Sequence, residues 1–393
     1  MLFICAGRKI RVVEWYLLTM ERLGMKCGWK NFKLCEVAEV VDSLHKTPKY
    51  VESGIPMLRV TDIREGYLSL HSTAQVSNAV YDEFTKKYRP QQGDIVISRV
   101  GTYGIFSYVA TKEKFCLGQN TAIIIPHINN KFLYYILISP VTKSYLEKIV
   151  TGSTQKTVSL KNIKEIPVCV PDNITQKRIA NILSALDDKI ELNNAINHNL
   201  QQQAFAIFDN MFPCCSIGEK TIGDYTVPKR GRNLLSKDAV FGEVPVVAGG
   251  LEPATYHNKS NTVAPVLTIS ASGANAGFVN LWHKSVWSSD SSYIDLSMTS
   301  DVYFWFVLLK KRQKEIFDAQ TGSAQPHIYP QHIADMPICN LDKMLVSQFT
   351  AKVSPLFELI GANKEENIIL SVLRNALLPK LMSGEIDVSE VEI

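Results

Sequence analysis

The sequence predicts an α+β chain with an internal repeat. Two strand-rich units are separated by two long helices, which pack as an antiparallel coiled coil about a pseudo-twofold axis. Three observations predict it. "TGSTQ" at Thr151–Gln155 returns as "TGSAQ" at Thr321–Gln325, and the same offset of 170 carries Ile163, Pro167 and Cys169 onto Ile333, Pro337 and Cys339. No Gly or Pro occurs from Asn173 through Phe212, so nothing there breaks a helix. A heptad stripe runs along each helical stretch, and two Asn interrupt each stripe at equivalent positions.

In chain order, residues 1–28 form an N-terminal extension. Met25 in "MKCGWK" offers an alternative start, and a helical extension is the other reading. This segment lacks the long apolar run and small-residue cleavage site of a secretory signal. Residues 29–172 form the first unit, where "GIPMLRV", "GDIVISRVGTYG" and "NTAIIIP" are short apolar runs bounded by turn residues, the pattern of strands. Residues 173–213 form the first helix, capped by Asn173 or Thr175 and stopped by Pro213. A second strand-rich unit spans 216–340, with "GEVPVVAGG" and "APVLTISASGANAG". Residues 341–393 supply the second helix, to about Met382, and an acidic tail.

The first stripe reads Ile179, Leu183, Leu186, Ile190, Asn193, Asn197, Leu200, Ala204, Ile207, Met211. Adding 170 gives Phe349, Val353, Leu356, Ile360, Asn363, Asn367, Leu370, Arg374, Leu377, Leu381. Steps averaging 3.5 residues keep one face toward a partner helix, whereas two amphipathic helices lying each on its own unit is the alternative. One antiparallel register buries all four Asn together, with Asn193 against Asn367 and Asn197 against Asn363. Other registers set an amide against Leu or Ile, at about 1–3 kcal/mol.

The globular units correspond less tightly. Leu34 matches Ile222, Pro56 matches Pro245, and Ser98–Gly104 resembles Ser270–Gly277 with a drifting offset. A shared scaffold with diverged loops suits two units that read different targets.

Composition is that of a water-soluble globular protein, 46% apolar and 20% charged, and no apolar run approaches the ~20 residues of a membrane span. The eight cysteines form no C-x-x-C pair, which favours reduced thiols over disulfides or zinc. A net charge of +4 leaves the partner open. Phosphate-loop, dinucleotide and amino-methyltransferase signatures are missing, and so is a nucleophile elbow. His327 and His332 are read as structural, and Asp187 and Asp188 as solvated or partner-facing. Nothing assembles an active site.

Two variable strand-rich units, each followed by a long helix, resemble the specificity subunit of type I restriction–modification enzymes. The resemblance rests on "TGSTQKTVSLKNIKEIPVCVP" leading into "QKRIANILSALDDKIELNNAINHNL", with "WKNFKLCEVAEVV", "GIPMLRVTDI" and "GDIVISRVGTYG". It covers nearly all of Trp29–Gly384. It implies that each unit is a target-recognition domain reading one half of a gapped site in double-stranded DNA. It also implies that the helices bind two methyltransferase subunits, while separate restriction subunits translocate and cut. The chain itself would hold no cofactor, with S-adenosylmethionine, ATP and Mg on its partners, and would work in the cytoplasm away from any membrane. There are departures: residues 1–28 precede the family opening, the second unit lacks "GDIVIS", and Arg374 stands at an apolar stripe position. They suggest a second half held more loosely. A protein-interaction scaffold without a DNA role is the alternative, and a strand-rich enzyme comes third.

A DNA reader needs cations for phosphates and forked polar groups for base edges. In the first unit those are Lys46, Lys49, Arg59, Arg64, Arg99, Tyr103, Gln119 and Asn120. In the second they are Lys229, Arg230, Arg232, Asn233, Ser272, Asn275 and Asp290. Lys and Arg outnumber Asp and Glu by only 15 to 11 over residues 29–150 and by 11 to 10 over 216–320. The chain alone is therefore expected to bind DNA weakly.

Overall fold

The computed structural model describes residues 2–5, 8–11, 29–150, 156–322 and 325–392. The first repeat segment, Thr151–Gln155, lies outside them, as do Ser323 and Ala324 of the second. The chain mixes helix and sheet and divides into two compact units. The first comprises Met1–Glu191 with Ile368–Ile393, and the second Leu192–Asn367. Each long helix is therefore shared between units and does not stand as a separate spacer domain.

In the first unit a five-stranded sheet runs Ala38–Asp42, Thr121–Pro126, Ile95–Ser98, Phe106–Tyr108, Gly66–Tyr67, and only the last pair is parallel. Its middle strand is buried on both faces, as a continuous apolar run should be. Ile95 and Ile97 pack with Phe106 and Ile124 against the helices Asn130–Ile138 and Pro140–Ile149, while Val96 joins Leu58, Val109 and Ile123 on the other side. Asn129 starts the first of these helices, its Oδ1 accepting from Phe132 N at 2.9 Å. A four-stranded sheet, Cys116–Leu117, Ile55–Leu58, Ala74–Val76, Tyr50–Val51, contributes Leu58 and Leu117 to that other side. The helical reading of the extension does not hold for its described part. Leu2–Cys5 and Arg8–Arg11 are paired antiparallel strands, since a short apolar run before an Ala-Gly dipeptide suits a hairpin better than a helix.

The second unit repeats the plan with fewer strands. Lys229–Arg230, Ser291–Asp295, Val266–Ser270 and Val279–Trp282 form one sheet. The strand "VLTIS" stands where the first unit has "IVIS", so the missing text is replaced in place. Thr255–His257, Val244–Val247 and Trp287–Ser288 form another sheet. Its parallel pair at Val246–Trp287 matches Met57–Cys116 in the first unit. The helix Val302–Lys311 closes the core against Phe208, Phe212, Phe349, Val353 and Phe357.

The long helices span Asn173–Met211 and Lys343–Met382. Asp172, not Asn173 or Thr175, caps the first: its Oδ1 accepts from Ile174 N at 2.9 Å and Thr175 N at 3.1 Å. The helix begins one residue before the reading from sequence, and an aspartate there also suits the positive end of the helix dipole. The second helix runs through Pro355 without breaking. The imino nitrogen cannot serve the carbonyl of Ala351, but Val353, Phe357 and Ile360 bury that turn in the core.

All stripe positions are buried or half-buried. In the second unit Asn193 Nδ2 donates to Asn367 Oδ1 at 2.8 Å and to Glu366 Oε2 at 2.7 Å. Asn363 Nδ2 donates to Asn197 Oδ1 at 2.8 Å, so as one helix advances its partner recedes. In the first unit Asp187 corrects the solvated reading. It is 5% exposed and accepts from Tyr135 Oη at 2.7 Å and Arg374 Nη1 at 2.6 Å. Arg374 is thus a buried ion-pair partner rather than a flaw in the stripe. Asp188 stays half-exposed, accepting from Tyr67 Oη and from Lys131 Nζ at 3.2 Å.

Candidate nucleic-acid interface

Each unit carries the same rigid turn. In the first, Ser98 N donates to Ile105 O at 3.0 Å and Gly104 N returns to Ser98 O at 2.8 Å. Arg99 N donates to Asn120 O, Val158 N to Arg99 O and Gly101 N to Lys156 O, at 2.8, 2.9 and 3.1 Å. In the second, Ser270 N meets Phe278 O at 3.0 Å and Gly277 N meets Ser270 O at 2.7 Å. Ala271 N donates to Asp290 O, Ile328 N to Ala271 O and Gly273 N to Pro326 O, at 3.1, 2.9 and 3.1 Å. Gly101, Gly104, Gly273 and Gly277 have φ of 74°, 71°, 80° and 86°, values at which a Cβ would be strained. The hydrogen-bond frame is shared, with one residue more between the glycines of the second turn, and the side chains on it differ. Arg99 corresponds to Ala271, Val100 to Ser272, Tyr103 to Asn275 and Asn120 to Asp290.

The first unit keeps some of its candidates for itself. Arg99 is withdrawn from the surface set: its guanidinium is 11% exposed, pairs with Asp42 and donates to Val158 O at 3.3 Å. Sequence alone could not place Asp42, 57 positions away, beneath it. Arg59 grips Asp62 in bidentate fashion at 3.0 and 2.9 Å. Burial would raise the Asp62 carboxyl, but hydrogen bonds from Arg59 side chain and backbone hold it below the usual range. Lys46 Nζ lies 2.7 Å from Glu83 Oε1 at the surface, a pair that exchange with a phosphate would cost little. Gln119 reaches Thr47 at 3.4 Å, and half-buried Asn120 takes φ of 63°. Tyr103 has Lys156 Nζ 5.9 Å from its ring centroid. Lys49 and Arg64 are exposed and without an ion pair among the described residues.

The second unit gathers four of its seven candidates. Arg230 Nη2 donates to Asp290 Oδ1 at 2.5 Å, Ser272 Oγ donates to Asp290 Oδ2, and Asn275 Nδ2 reaches Gly249 O at 3.3 Å beside them. Asp290 therefore orients a guanidinium fork instead of facing a base alone. Lys229, Arg232 and Asn233 are exposed along one edge, with Arg232 N held by Ser288 O at 2.9 Å. Apart from Tyr103, sequence reasoning passed over the aromatic groups. Phe241 is 97% exposed, and Tyr50 and Tyr256 are about half-exposed at equivalent sheet edges. His327, read as structural, stacks on exposed Tyr329 with centroids 6.0 Å apart. Exposed rings of this kind offer faces on which bases stack. The signal available was an aromatic residue inside turn-rich text.

Each unit thus carries exposed cations and aromatic rings together with a turn of the same hydrogen-bond frame. No group of three or more His, Cys, Asp or Glu suited to a metal occurs among the described residues, and no described helix is long and apolar enough to cross a membrane. A family model described as the type I restriction modification DNA specificity domain matches residues 26–202. The chain is 24% identical over 413 aligned residues to the MjaIX specificity subunit of Methanocaldococcus jannaschii, covering 92% of this chain and 94% of that protein. It is 27% identical to the HindI specificity subunit of Haemophilus influenzae over 47% of this chain and 40% of that one. In fold it is similar to a type I S subunit from M. genitalium, with a TM-score of 0.54 and 19% identity over 90% of this chain and 96% of that one. Residues 26–202 thus match a type I restriction modification DNA specificity domain, and the relatives to which the chain is similar are named specificity subunits.

Proposed function

We propose that each unit reads one half of a gapped, bipartite site in double-stranded DNA, the first through residues 29–172 and the second through 216–340. The long helices, paired as an antiparallel coiled coil with pseudo-twofold symmetry, space the two readers and dock two methyltransferase subunits. The observation that carries this reading is the shared turn with unlike side chains. A shared hydrogen-bond frame holds register while Tyr103/Asn275 and Asn120/Asp290 alter what surrounds it. Lys49, Arg64, Lys229 and Arg232 are suited to phosphates, and Arg230, steadied by Asp290, to a base edge. Docking has its own support. Ile368, Ile369, Val372 and Leu373 on the second helix are 56, 67, 64 and 44% exposed, an apolar strip of the kind partners cover. S-adenosylmethionine, ATP and Mg would be held by the partner subunits, in the cytoplasm.

The test is methylome sequencing of a host carrying the whole system. A gapped bipartite methylated motif is expected, and exchange of the loops within residues 29–150 should alter one half only. Both halves changing together, or co-purification with some partner other than a methyltransferase and no methylated motif, would sink the reading.

A further inference from the structure

We infer that the second unit binds a small phosphate-like oxyanion, in a cavity of about 330 Å³ where Asn197, Asn280, His283, Lys310 and Lys364 converge. The volume falls in the ~300–1,000 Å³ range of small-molecule sites. No Asp or Glu lines the cavity, whereas two lysines and two histidines do, His198 being the second. The described residues offer no ion pair to Lys310 or Lys364.

The wall presents donors. Asn197 Oδ1 is taken by Asn363 Nδ2 at 2.8 Å, which leaves the Asn197 amide N–H groups for a ligand. Asn280 Oδ1 is taken by Leu281 N at 2.9 Å, with the same result. Lys310 Nζ donates once, to Val279 O at 2.9 Å, and lies 4.3 Å from the Phe278 ring centroid. An ammonium has three donors, so two remain. His283 Nε2 is buried without a hydrogen-bond partner. Gly361 is what lets the helix press so close: a Cβ there would lie 2.6 Å from His283 Cγ.

Burial and the Lys364 charge lower the Lys310 ammonium from its ordinary value and push His283 down to about 4. The nearest acid that Lys364 feels is Glu252, outside the lining. A partly dehydrated Lys310 ammonium and an orphaned ring nitrogen are unfavourable when left alone. An oxyanion accepting from both ammonium groups and both amides would relieve them through charge-assisted hydrogen bonds. It would also favour the charged imidazole, so binding should draw a proton onto His283.

Calorimetry and thermal unfolding of the whole purified chain, with inorganic phosphate against sodium chloride at equal ionic strength, test this. Phosphate should raise the melting temperature saturably. With sulfate, which does not titrate at pH 6, in place of phosphate, the heat of binding should depend on the ionisation enthalpy of the buffer with the sign of proton uptake. Lys364→Gln, at an exposed position, should keep the wild-type circular dichroism and weaken phosphate binding by about tenfold or more, the effect of one charge-assisted hydrogen bond. Equal stabilisation by chloride would overturn the proposal, as would wild-type phosphate affinity in Lys364→Gln. Loss of duplex-DNA affinity in that variant with phosphate binding intact would make the lysine a DNA contact and overturn it too.

Discussion

At the scale of single residues, the same chemical type does opposite work at different positions. Arg99 and Arg64 both belong to turn-rich text, yet one is folded onto Asp42 and the other stands in solvent. Arg99→Ala should therefore destabilise the first unit by about 1–3 kcal/mol, because it leaves a largely buried carboxylate with only its exposed His45 partner. Denaturant unfolding would measure it. Arg64→Ala should leave stability within about 0.5 kcal/mol and lower the salt dependence of DNA binding by the assembled complex by about one phosphate contact. A titration series in salt reads that slope. Asp62 supplies a pH prediction. Its folded carboxyl lies below the ordinary aspartate value of about 3.9, so the clamp on Arg59 is complete above that value. It is lost as pH falls through the lowered folded value. Protease cutting at Val60–Asp62 should rise in that acid window, and Asp62→Asn should show no such rise on acidification.

Among elements, the paired helices were the most legible from sequence and the sheets the least. The stripe marks the face on which Asn193 meets Asn367 and Asn363 meets Asn197, and two amides in a seam admit one economical register. Asn193→Leu should cost about 1–3 kcal/mol in the second unit, since it removes the donor to Asn367 Oδ1 and one donor to Glu366. Adding Asn367→Leu should recover most of that loss, and chemical denaturation of the single and double variants compares them. Other readings failed where a tertiary partner decides the outcome. Asp187 looked like solvent-facing charge beside the stripe because nothing in its neighbourhood announces Tyr135 or Arg374, which lies 187 residues away. Arg374 looked like a flaw for the same reason. The turn pattern was legible in part. "SRVGTYG" and "SASGANAG" betray the glycines, but not that Asp290 binds Arg230 and Ser272 or that Asn120 accepts from Arg99. Such bonds join positions far apart in the chain and follow no local period.

For the molecule as a whole, the division of the chain matters more than its element count. The second unit is one continuous stretch, Leu192–Asn367, whereas the first is interrupted and needs Ile368–Ile393. Leu378, Leu381, Met382 and Val388 belong to the same core as Ile179 and Leu183. Synthesis at about 5–20 residues per second delivers these pieces in a fixed order. The first unit to emerge is thus the last to be finished: its apolar face, where Leu378 and Leu381 will sit, must wait while a whole second unit is made. Ribosome-bound chains arrested with residue 367 just outside the exit tunnel should protect the second unit from protease and leave the first open to it. Extending the chain through residue 393 should then protect both. If the first unit resists protease before residue 368 has emerged, it folds without its last piece. The outcome bears on where the cell's chaperones are needed: an unfinished core waiting on its own chain's end is a natural client, and its exposure lasts as long as translation of the other half.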